Sequence, residues 1–550
     1  MKNSKLFLGI AATLSMGFAA CSDDAQVNTP DNSQDGVTKY MSVVIKNVGD
    51  NSRALPGDDD FEGPANGSNE SDITKDNIRF YFFTEKGSPF IMSTVNVNGT
   101  VTKTNMVAPT AISQINNTNG AAATFNGVLV LGLPDTENGG YEGSTPARVV
   151  AIVNPRHADG FDYYAQKTLD QLYTIDVKLQ DLKFDKFTMV SSSYVDKVNG
   201  EDTEIYWTDV TGNIKDSQAA AEAAPAQIFL ERLAAKVRVK GLGDYTVQER
   251  NAAGNLADKT FRIWENSEAP TETTLSVTLD GWKLLNRATH TYAIKHIGDF
   301  IANPPYDGWN DPARHRSYWA YTAATSPADF YDGSFKFEDT NWLGNFDANN
   351  PTENILYTYG NTAFARGEET DAASATDRST LATAIIVKAF VKKTGDTDPI
   401  DLVKWGPEYY SLDYFKEVVI SAWNNDHSST LTKDAVGLKY DKDNLYVATV
   451  TVNGTANEFP RFSDISYWDG GVTSYLANVK HYAAQSENET NLYGVVRNHI
   501  YDYTFNNVVG LGVPGTEPVN PEDPDQNYLA AVVNCLNWHV VSYNDVTLGE

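Results

Sequence analysis

The chain has 550 residues, with 43 Lys and Arg against 72 Asp and Glu, a net charge of −29. So negative a chain is excluded from gripping nucleic acid or an anionic membrane through phosphate contacts. An apolar content of 41% argues for a folded body of roughly two to four domains rather than a disordered acidic tail.

Lys2 and Lys5 open the chain, and an apolar, small-residue stretch runs from Leu6 to Ala20. It is too short to span a bilayer as a stable helix and has signal-peptide proportions. Phe18, Ala19 and Ala20 lead directly into Cys21. A small-residue pair before Cys is what a lipoprotein signal peptidase needs, and the Cys21 thiol would carry the lipid. The alternative is an ordinary signal peptide followed by a chance cysteine. The polar stretch after Cys21 reads as a tether. Residues 40–48 are expected to form a strand with Met41, Val43 and Ile45 on one face. Arg53 and Ala54 follow among Gly, Asp and Pro, an exposed and flexible site for an Arg-specific protease. Cutting there would release the strand and open a groove, which a longer apolar strand from another molecule could fill.

Strands are expected at 78–83, 149–153, 275–279 (alternating before Gly281 and Trp282), 384–391 and 445–452, between Gly, Pro, Asn and Asp clusters. Helical signals are few, at 166–173, 217–224 and 411–424. The body reads as β-sandwich material with minor helices. A boundary is placed near Pro225, after which 228–241 reads as one strand with Arg232 and Lys236 on its solvent side. Residues 300–380, crowded with Asn, Asp, Tyr and Trp, read as long surface loops. Residues 514–527 hold four prolines and four acids, an extended linker. The segment 528–541 then reads as a strand that is apolar on both faces. Tyr528, Ala530, Val532, Leu536, Trp538 and Val540 share one parity; Leu529, Ala531, Val533, Cys535 and Val541 share the other. Such a strand is an edge waiting to pair.

The two cysteines, Cys21 and Cys535, are too few for a disulfide scaffold or a Cys-based metal cluster. None of the eight histidines shows H-E-x-x-H spacing, and no nucleophile elbow, P-loop or dinucleotide fingerprint stands in context. No catalytic residue, metal ligand or cofactor is assigned, and an enzyme is the weakest reading.

Several stretches together resemble the major subunit of the minor (Mfa-type) fimbriae of Bacteroidales, the type V pili. They are the lipobox at Cys21, MSVVIKNVGDNSRA around Arg53, ARVVAIVNP at 147–155 and FLERLAAKVRV at 229–239. GVVRNHIYDYTFNNVVGLG at 494–512 and the Pro–Asp linker with its Trp538-bearing strand complete the set. Asp23 and Asp24 behind the cysteine resemble the surface-export signal of Bacteroidales lipoproteins. The resemblance implies an all-β fold of two tandem transthyretin-like β-sandwich domains with a C-terminal donor strand. It implies export as an outer-membrane lipoprotein precursor and a cut after Arg53 by an Arg-specific protease. Departure of the first strand and its replacement by a neighbour's terminal strand would follow, making a head-to-tail homopolymer with anchor and tip subunits as partners.

The expected divisions are a signal peptide at 1–20, a tether and removable strand at 21–53, sandwiches at 54–224 and 225–513, the linker at 514–527 and the donor strand at 528–550. Two other readings stay open. One is a surface glycan-binding lipoprotein, using Trp309, Trp319 and Trp342 as stacking rings. The other is an accessory tip or anchor subunit of a fimbria.

Overall fold

Short runs of β-branched and aromatic residues, punctuated by residues that tolerate left-handed backbone, dictate a strand-rich fold. The computed structural model describes residues 39–47, 73–95, 101–115, 124–134, 144–178, 187–251, 254–288, 290–302, 304, 309–312, 315–318, 320–321, 323, 341–347, 353–359, 383–441, 445–479, 495–514, 529–530 and 539–548. Cys21, Arg53, Ala54, Trp319 and the donor positions Ala531, Val533, Cys535, Leu536 and Trp538 lie outside them. The expected all-β fold with minor helices is borne out: the described chain is mostly strands, most of them in two large sheets.

The first sheet runs, in spatial order, Met106–Val107, Ile78–Phe83, Arg148–Val153, Met189–Ser191, Ala226–Arg232, Lys39–Asn47, Thr124–Leu131 and Ala111–Ile115. Its two end strands, 106–107 and 111–115, are joined by residues 108–110 alone, so the sheet wraps round on itself. The enclosed core takes Phe80, Phe82, Val149, Ala151, Ile228 and Leu230. Turn chemistry fixes the local hairpins. Asn199 and Gly200, both with positive φ, join the ribbon strands Tyr194–Val198 and Glu201–Ile205. Asn453 and Gly454 do the same between Tyr446–Val452 and Thr455–Glu458, as two-residue turns demand.

The second sheet is built on the long strand Thr271–Leu285, which pairs with Ala384–Lys393 through a bulge between Leu279 and Gly281. Ala234–Lys240 and His499–Val509 run parallel to each other in the same sheet. Its core holds Trp282, Val387, Tyr475, Tyr501 and Tyr503. Ala384–Lys393 also pairs with Val472–Asn478, so residues 394–471 are an insertion between neighbouring strands. That insertion has its own core, in which Phe415, Val419 and Trp423 of the helix Leu412–His427 meet Ala448, Val450 and Phe462. The helix begins where the Ser411 hydroxyl accepts from the Tyr414 N–H and ends at Ser428 in the left-handed region, a start and stop read from capping chemistry.

Two expectations are corrected. The run 228–241 is not one strand: Ala226–Arg232 lies in the first sheet, Ala234–Lys240 in the second, and the chain crosses at Leu233. Arg232 and Lys236 do not face solvent; they are 2% and 3% exposed. Both sit at the crossing between the two sheets, where the ends of these strands are buried on both faces and Arg232 reaches Asn498.

Candidate functional site

The first strand, Lys39–Asn47, is an interior member of the first sheet. It runs parallel to Ala226–Arg232, with Val43 opposite Ala226 and Ile45 opposite Ile228. On its other side it runs antiparallel to Thr124–Leu131 over eight partner pairs from Lys39–Leu131 to Lys46–Thr124. Met41, Val43 and Ile45 are all 0% exposed and belong to the first core. Burial of side chains this size is worth about 1.5–3 kcal/mol each. Val43 faces Gly127, where an added Cβ would lie 2.9 Å from the Val43 Cγ2. The missing side chain of Gly127 is therefore a notch into which a β-branched residue fits. Withdrawal of this strand would strip ladder partners from both neighbouring strands and open the core.

The end of the slot is set against a buried ionic cluster. Glu231, beside the slot on the strand Ala226–Arg232, is 3% exposed. Its Oε2 accepts from the Lys295 Nζ at 2.6 Å, and the Arg497 Nη1 stands 3.5 Å from its Oε1. Lys295 also donates to the Ser317 carbonyl at 2.6 Å, and Arg497 to the Thr291 hydroxyl at 2.9 Å and the Tyr292 carbonyl at 2.8 Å. Burial pulls the Lys295 ammonium down to about 8 against the opposing pull of Glu231. Burial likewise lowers Arg497, again opposed by Glu231. Arg232 donates to the Asn498 side chain at 3.0 Å. Next to it, the His499 Nδ1 donates to the Arg497 carbonyl at 2.8 Å, which leaves Nε2 to accept from Arg316 at 3.2 Å. Residues far apart in sequence thus tie the two sheets together behind the slot. Sequence reading missed this cluster because charge pairs across such distances leave no local pattern.

The terminal strand is held differently. His539–Leu548 runs parallel to His499–Val509, with register shifts at two places. Its other edge pairs, among the described residues, only at Leu529 and Ala530. Leu529 and Val540 of the expected donor set lie on these two strands, and the last strand runs beyond Val541 to Leu548. The first strand is thus laddered on both sides along its length, whereas the terminal strand sits at an edge with an irregular register. Both lie parallel to a strand of their own sheet, Ala226–Arg232 in one case and His499–Val509 in the other.

Of the tryptophans of the glycan reading, Trp309 and Trp342 are packing groups and Trp319 lies outside the described residues. Trp309 is 7% exposed and joins Val195 and Ile297. Trp342 closes over the bulge at Gly281, where an added Cβ would meet its own Cβ at 2.7 Å. Among the described residues no group of three or more His, Cys, Asp or Glu is placed to hold a metal ion. His290 bonds Asp176 at 2.8 Å, and His296 is stacked between the rings of Tyr173 and Tyr292. No described helix is long and apolar enough to cross a membrane.

Residues 466–544 match the family profile described as major fimbrial subunit protein type IV, fimbrillin, C-terminal. No curated protein sequence matches the chain. A candidate cell adhesion protein from Bacteroides eggerthii is 13% identical, with 94% of this chain and 99% of that one aligned and a TM-score of 0.34. The tip fimbrial protein Mfa3 from Porphyromonas gingivalis, truncated at its C-terminus, is 8% identical over 85% of this chain and 94% of its own, with a TM-score of 0.29. A fimbrial assembly protein from Parabacteroides distasonis is 10% identical over 66% of this chain and 83% of its own, with a TM-score of 0.25. The fimbrial profile lies on the strands His499–Val509 and His539–Leu548, and it bears out there the resemblance to Bacteroidales fimbrial proteins read from the sequence.

Proposed function

We propose that the chain is a structural subunit of a cell-surface fimbria that assembles by strand exchange and serves adhesion and biofilm formation. It leaves the cell as a lipoprotein precursor, anchored to the outer membrane through Cys21. An Arg-specific protease cuts between Arg53 and Ala54. The strand Lys39–Asn47 is then part of a separate peptide, held by side-chain burial and ladder bonds alone. The terminal strand of a neighbouring subunit replaces it, and repetition gives a head-to-tail filament capped by tip and anchor subunits.

The observation that carries this reading is the placement of the first strand. Met41, Val43 and Ile45 fill the middle of a core, yet the strand stands on the removable side of Arg53. A removable peptide has no need of three fully buried side chains unless it keeps a slot closed until the cut. The fimbrial profile over 466–544 supports the same reading from the other end of the chain.

The test is incubation of the chain from Ser22 onward with an Arg-specific protease, followed by intact mass and SDS-resistant laddering. A single cut after Arg53 and ladders that vanish in Arg53→Ala and in a chain ending at Asn527 are expected. A cut chain that stays monomeric would end this reading.

A further inference from the structure

A cleft of about 1360 Å³ opens on the face of the first sheet that points away from its core. Gln227 and Phe229 lie along it and alternate with the core residues Ala226, Ile228 and Leu230. The ribbon 194–205 overhangs one side, contributing Tyr194 and Asp196, and Trp207 stands on the wall. The rings of Tyr194, Trp207 and Phe229 are only half-buried. Two of the neighbouring groups, Arg148 and His315, are held in place by ring contacts. The Arg148 guanidinium lies 4.2 Å over the Trp207 ring, and His315 stacks on Phe229 at 4.1 Å while meeting the edge of Tyr194 at 4.7 Å. His315 holds a left-handed backbone, φ 52, which is unusual for a residue other than Gly and is found where a side chain must be presented in one place. The hydroxyl of Ser192, a wall residue only 5% exposed, has no hydrogen-bond partner in the protein.

The chemistry of the walls selects among ligand classes. Glu85, Asp196 and Asp209 stand against Lys86 and Arg148, so no field of one sign gathers a polyanion. Charged groups among the walls make it a poor home for a lipid chain. An extended peptide needs a free strand edge, and the strands beneath are paired on both sides. The ribbon edge is closed too: the Asn310 side chain accepts from the Val195 N–H and donates to its carbonyl, each at 2.8 Å. Partly exposed rings beside carboxylates and an amide are what a sugar requires, since its C–H face stacks on a ring while its hydroxyls take planar acceptors.

We propose that this cleft binds a neutral carbohydrate chain, with Tyr194 and Trp207 as stacking surfaces and Asp196, Asp209 and Gln227 as hydroxyl partners. The site is separate from the strand slot and does not depend on polymerisation.

The test titrates maltohexaose, xylohexaose and chitohexaose into the chain from Ser22 onward, followed by tryptophan fluorescence and calorimetry into the millimolar range. At least one sugar should bind, and Trp207→Ala and Tyr194→Ala should each weaken it tenfold or more. Should Trp207→Ala fail to fold, Gln227→Leu on the cleft floor decides, with the same loss expected. Absence of binding by all three sugars overturns the proposal, as does binding that the wall and floor variants leave unchanged.

Discussion

Val43 and Gly127 face each other across two antiparallel strands with no room for another carbon. Gly127→Val should push the first strand off its ladder and destabilise the uncut chain by about 1–3 kcal/mol, the usual cost of overpacking. Urea unfolding of the uncut protein checks this. In the proposed exchange, the same change should slow reoccupation of the slot, because any entering strand would meet the same wall. Behind the slot, Glu231 is the carboxylate that faces both Lys295 and Arg497. Glu231→Gln leaves buried cations without their counter-charge and should cost about 3–5 kcal/mol. Pairing it with Lys295→Met should recover part of that loss in the same unfolding measurement. Lys295 also sets a pH dependence. Its folded pKa of about 8 lies below the ordinary 10.5, so between those values the unfolded chain binds more protons. The Lys295 contribution therefore rises with pH across that window, and its burial cost is present in full below it. Stability of wild type relative to Lys295→Met should improve across the window; a flat difference would show that Lys295 does not titrate there.

Helices and strands differ in how openly the sequence declares them. The strands at 78–83, 149–153 and 384–391 stand out because apolar runs meet clear turn residues, and each is found. The helix at 411–424 stands out because Ser411 caps it and its apolar residues recur at helical spacing. The break at Leu233 is silent, since the chain changes sheets there with no Gly or Pro to mark it. Nor does local pattern show that 394–471 closes a core of its own, because that core is made by pairing between distant strands. The buried Arg232 and Lys236 were illegible for the same reason: a charged residue on a strand looks exposed until the second half of the molecule covers it. The inserted unit invites a direct test. Phe415 is 0% exposed and touches Trp405 and Phe462. Phe415→Ala should cost about 3–5 kcal/mol. It should blunt fluorescence from Trp405 and Trp423 while leaving the Lys39–Asn47 slot closed to proteolysis beyond Arg53.

At the scale of the whole molecule, two strands near the ends of the chain lie in different environments. One fills the middle of a sheet and is doubly laddered; the other rides an edge of the second sheet with an irregular register. In the proposed exchange between copies, an edge strand would move into an interior slot and gain ladder bonds on a second side. The proposed direction of assembly would follow from that difference. The measurement that tests it most directly mixes two blocked chains in the presence of the protease. Arg53→Ala retains its own first strand but offers a terminal strand. On the proposed route, a chain ending at Asn527 would open its slot on cleavage but have no strand to give. Together they should form one SDS-resistant heterodimer and nothing longer, and neither should form a complex alone. Ladders from either chain by itself, or no heterodimer from the mixture, would contradict the account.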